Sequence, residues 1–341
     1  MTTIGAIDLG AESGRVFTST FHGESLELAE HHRFPTPTYR DSGGRLRWDF
    51  SGIADHVRTG LAAAGSREYL HAAGADAWGI DFGLLDAAGT LMTDPLSHRD
   101  ERVHGMLAEA AKVSGRERLH TATGCQLLPC NSIYQLLALA RDGDLAAGTA
   151  DRLLMIPDLL HHALSGVAAC EYTGATTTGC YDVRAGEWAG TLLDELEIPH
   201  AFLDGVVAPG TELGPLRREL RDVAGLRGTR VISPASHDTA SAVVAVPFED
   251  RRAAYISSGT WSLVGIEVDE AVVSAGTMAA QLTNEGGYGG RTRLLRNVTG
   301  LWLLQECRRT WAAHGLRTVM ALLRRRPLPR SASLGAARIR L

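Results

Sequence analysis

A strand, a glycine-bounded turn and a second strand open the chain. Residues 3–9 (TIGAIDL) form a short β-rich run, the turn Gly10–Gly14 follows, and residues 15–21 (RVFTSTF) alternate as a second strand would. Two such runs joined by a short turn predict a β-hairpin. Dinucleotide and P-loop sites instead pass from a strand into a helix, and the sequence contains no G-x-x-x-x-G-K-[ST] motif. The sequence therefore disfavours a Walker-type ATPase.

Helical and strand patterns alternate along the rest of the chain. Helices are predicted at Asp49–Ala64 (with Asp49 or Ser51 as N-cap), around Glu101–Val113 and Ser132–Arg141, after Pro157 within Leu153–Ser165, at Thr239–Val246 and at Leu301–Trp311. Strands are predicted at Ala75–Asp86 (one buried strand that continues past Gly79 and Gly83), at Arg230–Pro234, and twice within Ala253–Val268, whereas Asn284–Arg291 predicts a glycine-rich loop. This mixture predicts an α/β protein with a domain boundary near residue 245.

Composition limits the class of protein further. With 341 residues, 45% of them apolar, the chain is long enough to bury two cores. The formal net charge of -5 gives no indication of nucleic-acid binding, and no stretch is apolar enough to predict a membrane helix or a signal peptide. Five cysteines occur without a C-x-x-C pair, which predicts reduced thiols and not a zinc site. We therefore expect a cytoplasmic protein without nucleic-acid or membrane partners.

The first candidate site is the opening hairpin. Asp8 ends a buried strand, where a carboxylate can hold a hydrated Mg²⁺. The turn Gly10–Gly14 can present backbone N–H groups to a phosphate, and Arg15 adds a cation suited to phosphate oxygens. The alternative is an ordinary hairpin that contains an Asp and two glycines.

The second candidate site is Ser236–Thr239, between a predicted strand and a predicted helix. Asp238 is either the cap of that helix or a general base that takes a proton from an attacking hydroxyl. A serine-hydrolase triad is excluded, because the side chains of consecutive residues do not converge on one another.

Further candidates are weaker when taken singly. The turn Ser257–Trp261 can offer N–H and hydroxyl donors to phosphates, or it is simply a tight β-turn. Asp81 needs a partner if it is buried, and Gly83 either lets a ligand approach the backbone or has a structural role. Asn297 and Gln305 could line a cleft, although the neighbouring Trp302 and leucines are more typical of a core.

Together these segments resemble the FGGY carbohydrate kinases and, within that family, the rhamnulokinases. The resemblance runs in order from about residue 3 to about residue 310. It rests on AIDLGAESGRV, WGIDFGLLDAAG, the stretch Arg99–Arg102, LLMIPDLL, EYTGATTTGCYDV, SHDTASAV, YISSGTWSLVG, NEGG and LRNVTGLWLLQE.

The resemblance implies two actin-like ATPase (RNase H-like) domains with a sugar and ATP in the cleft between them. It implies transfer of the ATP γ-phosphate to the 1-hydroxyl of L-rhamnulose with Mg²⁺, with Asp238 as the proton acceptor. It implies ATP contacts for Ala11, Glu12, Ser13, Gly14, Arg15, Thr260 and Gln305, and ketose contacts for Gly83, His237, Asp238, Thr239 and Asn297. Glu12 stands at a turn position where a smaller residue is expected. A kinase for another ketose such as L-fuculose, or an inactive sugar-binding fragment, stays open as an alternative, as does the oligomeric state, a monomer included.

The resemblance also implies a division of the chain. Residues 1–245 correspond to the N-terminal domain of the family and residues 246–315 to part of the C-terminal domain. Residues 316–341 hold seven Arg and no Asp or Glu, and they lack the family's pattern. We expect a truncated or frameshifted C-terminus, with a genuine basic tail as the alternative. Truncation predicts weak or absent kinase activity and poor solubility.

Overall fold

The computed structural model describes residues 1–145, 148, 150–250 and 253–314, together with the backbone of one strand at 337–340. Apart from that strand, the Arg-rich tail expected at 316–341 lies outside the described residues. The strands are β1 Thr2–Leu9, β2 Ser13–Phe21, β3 Ser25–Pro35, β4 Thr38–Arg40, β5 Leu46–Trp48, β6 Ala72–Ala77, β7 Phe82–Leu85, β8 Arg152–Met155, β9 Cys170–Glu171, β10 Tyr181–Asp182, β11 Glu187–Trp188, β12 Val206–Val207, β13 Thr211–Pro215, β14 Arg230–Ser233, β15 Ala254–Ser258, β16 Trp261–Val268, β17 Thr283–Gly286, β18 Thr292–Thr299 and β19 Ala337–Arg340. The α-helices are α1 Phe50–Gly65, α2 Met106–Ser114, α3 Arg116–Thr123, α4 Ser132–Arg141, α5 Ile156–Ser165, α6 Tyr172–Ala175, α7 Gly190–Glu195, α8 Asp238–Val244, α9 Ala275–Ala279 and α10 Trp302–Ala313.

Seven strands form the central sheet, in the order β13-β14-β6-β1-β2-β3-β19. Strands β1, β2 and β3 are antiparallel neighbours, whereas β1, β6 and β14 run parallel to one another. The carboxyl ends of β1, β6 and β14 therefore lie at the same edge of the sheet, and the loops that follow them meet there.

The predicted opening hairpin is confirmed. Strand β1 pairs with β2 in an antiparallel register that brings Leu9 opposite Gly14.

The predicted helix that begins after Asp49 is confirmed as α1, and the Asp49 side chain accepts a hydrogen bond of 3.0 Å from the Gly52 amide. The apolar residues of α1 recur every three or four positions, which directs them onto the central sheet.

The described residues contain two large apolar cores and a small one. One large core lies between the central sheet and the helices α1 and α5, and the other lies among α2, α3, α4, α7 and β8. The small core, formed by Val243, Tyr255, Leu263 and Leu295, lies under a four-stranded antiparallel sheet of order β15-β16-β18-β17. The chain is thus long enough for more than one core, as its length and apolar fraction predict.

The single buried strand predicted at Ala75–Asp86 is wrong. Strand β6 ends at Ala77 and β7 begins at Phe82, because Ile80 between them has a left-handed φ of 67° that no strand tolerates. The Ile80 amide donates to Thr177 Oγ1 (3.1 Å), and the Ile80 carbonyl accepts from Ser132 Oγ (2.6 Å). These two hydrogen bonds hold a conformation that a β-branched residue avoids by itself.

One further expectation needs correction, and not every helix was predicted. The loop predicted at Asn284–Arg291 contains most of strand β17 and a short 3-10 turn, Tyr288–Gly290, before β18 begins. Helix α3 was not predicted, because its sequence RERLHTAT carries too few apolar residues for a clear helical period.

In the described part of the chain, no helix has both the length and the apolar character required to cross a membrane.

Gly14 tests how tightly the opening hairpin packs. A Cβ at Gly14 would overlap the ring of Phe34 and lie 2.7 Å from Leu9 Cδ2, whereas a Cβ at Gly10 would meet nothing closer than 3.4 Å. We expect Gly14→Ala to lower the free energy of unfolding by about 1–3 kcal/mol, because overpacking displaces neighbouring side chains. Urea unfolding measures this loss, with Gly10→Ala as the matched control. Equal stability of the two variants would contradict the packing of the hairpin.

Candidate functional site

A cavity of about 400 Å³ lies between the central sheet and the four-stranded sheet. Its walls come from loops at the carboxyl ends of β1 and β6, from the start of α8, and from the turn between β15 and β16. The residues expected from the sequence that line it are Ala11, His237, Asp238, Thr239, Thr260 and Asn297. The structure therefore brings together side chains that lie nearly 290 positions apart in the sequence.

Other expected site residues lie beside the cavity or away from its wall. Glu12, Ser13, Gly14 and Arg15 continue the hairpin whose turn residues Gly10 and Ala11 line the wall. Gln305 Nε2 donates to Thr260 Oγ1 at 3.4 Å, so α10 contacts the turn that follows β15. The Arg309 guanidinium lies 4.0 Å from Glu12 Oε1, which brings α10 near the opening hairpin as well.

Gly83 has a structural explanation. It lies in β7, outside the residues that line the cavity, and a Cβ there would approach Leu91 Cδ1 to 2.7 Å and Leu159 Cδ1 to 2.8 Å. The close packing of two leucines accounts for the glycine, and the sugar contact at Gly83 stays a prediction.

The segment that precedes α8 is fixed by a buried glutamate. Glu171 Oε2 accepts hydrogen bonds from the Ser236 amide (3.1 Å) and the Ser236 hydroxyl (2.6 Å). Thr173 Oγ1 accepts from the His237 amide at 3.0 Å. Glu171 and Thr173 belong to the block EYTGATTT, which the sequence singled out without assigning it a role. The block holds the backbone that presents His237 and Asp238 to the cavity.

Asp238 is the first residue of α8, and the N-cap position belongs to His237, which makes no side-chain cap. The interpretation of Asp238 as the helix cap is therefore wrong. Its side chain keeps 39% exposure through the cavity, although dense protein surrounds it on the other sides. This burial raises the pKa of Asp238, while the nearby His237 and a hydrogen bond from Thr239 act in the opposite direction. A carboxylate with a raised pKa that faces a cavity is suited to accept a proton.

Two more carboxylates lie near Asp238 at the same edge of the central sheet. Asp8 on β1 is in register with Asp76 on β6, and Arg15 Nη1 lies 2.7 Å from Asp8 Oδ2. Burial, followed by the charges of Asp238 and Asp8, raises the pKa of Asp76 well above its ordinary value.

The carboxylates do not form a closed metal site. Within the described residues, no group of three His, Cys, Asp or Glu side chains could hold a metal ion. Asp8 has a side chain that is 45% exposed. Mg²⁺ at phosphate sites takes one or two carboxylates and fills its other positions with water and phosphate oxygens. A half-exposed Asp8 fits that mode of binding.

Asp81 organises another part of the cavity wall and has no exposed surface. Its carboxylate accepts hydrogen bonds from Trp48 Nε1 (2.7 Å), Trp78 Nε1 (3.0 Å), and both the backbone amide and Nδ1 of His98 (2.8 Å each). Trp78 and His98 line the cavity. Burial alone would raise the pKa of Asp81, but the His98 charge and these hydrogen bonds lower it. The sequence indicated only that Asp81 needs a partner.

Gln126 links the two sides of the cavity. Its Oε1 accepts from the Asn297 amide at 3.0 Å, which ties the segment before α4 to strand β18.

Cysteines in the wall of the cavity are not nucleophiles, because burial raises the pKa of Cys125 to about 11 and that of Cys130 to about 12. All five cysteines are free, which confirms the predicted thiols.

Comparisons with known proteins agree with this arrangement. The sequence profile described as "FGGY family of carbohydrate kinases, N-terminal domain" matches residues 3–245. The chain is similar to a rhamnulokinase of Bacteroides thetaiotaomicron (39% identity over 307 residues, 90% of this chain and 63% of that protein). It is also similar to a rhamnulokinase of Pectobacterium atrosepticum (41% identity over 309 residues, 88% of this chain and 60% of that protein). The crystal structure of ligand-bound xylulose kinase from Lactobacillus acidophilus superposes with a TM-score of 0.75 at 18% identity, over 86% of this chain and 59% of that one.

The fold is that of the carbohydrate kinases of the actin-like ATPase class, and this confirms the predicted fold class. The chain belongs to the FGGY family of carbohydrate kinases. It spans about three fifths of the length of the curated relatives that it matches.

Asp81→Asn tests the buried network behind the cavity. The folded-state pKa of Asp81 is below its unfolded value, so the stabilisation is present above the unfolded pKa and is lost as the pH falls through the folded pKa. We expect Asp81→Asn to cost about 2–4 kcal/mol of unfolding free energy at pH 7, because buried donors lose a charged acceptor. The cost should shrink below about pH 4.

Urea unfolding between pH 3.5 and pH 7.5 measures how the free energy lost in Asp81→Asn depends on pH. The control is Asp55→Asn, whose side chain is 76% exposed on α1 and whose pairing with Arg58 is screened by water. A cost for Asp81→Asn that stays the same across this pH range would contradict the charged state of Asp81.

Proposed function

We propose that this chain forms the sugar-binding and phosphate-binding part of an ATP-dependent kinase that phosphorylates the 1-hydroxyl of L-rhamnulose. One observation carries the proposal: the Asp238 carboxylate, whose pKa burial raises, faces a sugar-sized cavity at the start of a helix. The similarity to two rhamnulokinases supports L-rhamnulose as the ketose. We also propose that the domain boundary lies near residue 245, with residues 246–315 as part of a second domain.

In the proposed reaction, Asp238 accepts the proton of the sugar hydroxyl while the hydroxyl oxygen attacks the γ-phosphorus of ATP. The bond from that phosphorus to the β–γ bridging oxygen breaks, so that ADP leaves and the sugar phosphate forms. We propose that His237, Thr239 and Asn297 orient the ketose, and the support is that all three line the same cavity as Asp238.

The phosphates of ATP are proposed to bind on the opposite side of the sugar. The turn of the opening hairpin offers backbone N–H groups, and Thr260 offers a hydroxyl that Gln305 already contacts. Arg15 pairs with Asp8, so its guanidinium is held at this end of the hairpin. Bound Mg²⁺ would offset phosphate charge, with Asp8 as the carboxylate on its side of the site.

Sugar binding and phosphate transfer can be measured separately. Titration calorimetry with L-rhamnulose, L-fuculose and D-xylulose gives the preferred ketose, and ³¹P NMR with ATP and Mg²⁺ detects the sugar 1-phosphate. We expect L-rhamnulose to bind most tightly and any sugar phosphate that this chain forms, at the weak activity expected of a truncated kinase, to be L-rhamnulose 1-phosphate. Preference for L-fuculose would replace the substrate, binding without product would favour a sugar-binding fragment, and binding of no ketose would overturn the proposal.

Asp238→Asn tests the proposed base. Asparagine keeps the volume of the side chain but cannot take the proton, so we expect phosphate transfer to fall about 10²–10⁴-fold. The Kd for L-rhamnulose, measured by calorimetry, should change by only a few fold. Asp194→Asn is the matched control, because that side chain is 76% exposed on α7, remote from the cavity. Unchanged transfer in Asp238→Asn would remove Asp238 from the base role.

The raised pKa of Asp238 makes a prediction about pH. Only the ionised carboxylate accepts a proton, so kcat/KM should fall as the pH decreases through the Asp238 pKa. Because burial raises that pKa, the fall should be centred above about 3.9, the value of an ordinary aspartate. Initial rates between pH 4 and pH 8 locate it. A midpoint at or below the ordinary value would contradict the assignment.

A further inference from the structure

Arg293 on β18 has a side chain with no exposed surface. Its Nε donates to the Gly286 carbonyl at 2.9 Å, and its Nη2 lies 3.1 Å from Glu285 Oε2. Removing a guanidinium from water costs several kcal/mol unless a negative charge and hydrogen bonds compensate. Glu285 supplies that charge, with a side chain that is itself only 6% exposed. Burial alone would raise the pKa of Glu285, but the charge of Arg293 is among the causes that lower it.

Arg293 also contacts the residue that precedes the proposed base. Its Nη2 lies 3.0 Å from His237 Nδ1, within hydrogen-bonding distance. A guanidinium has five donors and no acceptor, and it stays protonated in proteins. The Nδ1 atom must therefore accept this hydrogen bond through its lone pair. An imidazole that accepts at Nδ1 is neutral and carries its proton on Nε2.

Glu285 competes for the same nitrogen. Its Oε2 lies 3.4 Å from His237 Nδ1, and a hydrogen bond there would need the proton on Nδ1. The contact with Arg293 is shorter by 0.4 Å. Charge balance agrees with this choice, because the negative charge of Glu285 is already matched by Arg293 and needs no imidazolium. The shorter contact and the charge balance both favour the Nε2–H tautomer.

The other ring nitrogen faces the proposed base. His237 Nε2 lies 3.4 Å from Asp238 Oδ1. With the proton on Nε2, a neutral N–H lies beside one oxygen of the carboxylate, and the second oxygen is left for the sugar hydroxyl. An imidazolium there would instead place a full positive charge beside the base and lower its proton affinity.

We propose that Arg293 is a positioning residue that holds His237 in the Nε2–H tautomer, so that His237 orients the carboxylate of Asp238. The benefit to catalysis rests on the proposed function, whereas the tautomer does not. His237 lies at the edge of the central sheet, and Arg293 and Glu285 lie in the four-stranded sheet. The orientation of the base thus depends on contact between these two sheets.

The tautomer can be measured without substrate. Long-range ¹H–¹⁵N correlation spectra of the ¹⁵N-labelled chain at pH 7 distinguish Nε2–H, Nδ1–H and imidazolium rings, and the resonance lost in His237→Gln identifies His237. We expect the Nε2–H pattern in the wild-type chain. An Nδ1–H ring or an imidazolium at His237 would overturn the proposal, whatever the kinase assay gives.

Three variants separate positioning from a purely structural role. Arg293→Met should lose the fixed tautomer, Arg293→Lys should retain it because an ammonium can still donate to Nδ1, and Glu285→Gln should also retain it. Arg296→Met is the matched control, an exposed arginine on the same strand that donates to Gln281. If Arg293→Met does not fold, the wild-type spectrum and the lysine variant still decide the matter. An unchanged tautomer in a folded Arg293→Met chain would overturn the proposal.

The contact with the base has its own readout. Asp238→Asn should shift the ¹⁵N resonance of His237 Nε2 and leave the tautomer unchanged, because Arg293 remains in place. No shift would mean that His237 does not contact Asp238. Where phosphate transfer is measurable, Arg293→Met should lower kcat more than it raises KM. A fixed tautomer in a chain that binds no ketose would refute the proposed function and leave the role of Arg293 toward His237 intact.

Discussion

The parallel pairing of β1, β6 and β14 determines where the cavity lies. Each strand ends at the same edge of the central sheet, and each is followed by residues that line the cavity. β1 is followed by the hairpin turn, β6 by Trp78–Ile80, and β14 by Ser236–Thr239. A bridge between Ala77 and His237 extends the parallel pairing beyond the strands themselves. A shift in register at any of these strands would displace a whole wall.

Buried charges then hold the loops that the sheet brings together. Glu171 holds the segment before α8, Asp81 holds Trp78 and His98, and Arg293 contacts His237. A buried charge destabilises the fold unless its partners are in place, so these loops have few alternative arrangements of similar free energy. The left-handed Ile80 lies in the same region, where two hydrogen bonds over-determine its backbone. The cavity is therefore preorganised before any ligand binds.

Local features of the sequence were enough to predict the hairpin, α1, α8, and the strands on either side of Ser257–Thr260, because alternation, capping and glycine turns are encoded within a few residues. The break at Ile80 could not be predicted, since its cause is a set of hydrogen bonds to Thr177 and Ser132, which are distant in sequence. The pairing of Arg293 with Glu285 gave no signal either, because charged residues in a strand normally indicate an exposed position. Asp238 was singled out through its motif, whereas Arg293 and Glu285, which lie close to the neighbouring His237, come from distant strands.

The two sides of the cavity differ in how firmly the described residues support them. The proposed sugar contacts at His237 and Thr239 belong to the edge held by Glu171, next to a large core. The proposed phosphate contacts at Thr260 and Gln305 belong to a sheet with a small core and to α10, none of whose residues is buried. That sheet also exposes apolar side chains on one face, with Ile256 at 68% and its cross-strand neighbour Val264 at 40%. An uncovered apolar face favours self-association and weakens the sheet that carries it. The proposed ATP contacts at Thr260 and Gln305 should therefore be more sensitive to destabilisation than the proposed ketose contacts at His237 and Thr239, because they depend on the less well packed part of the chain.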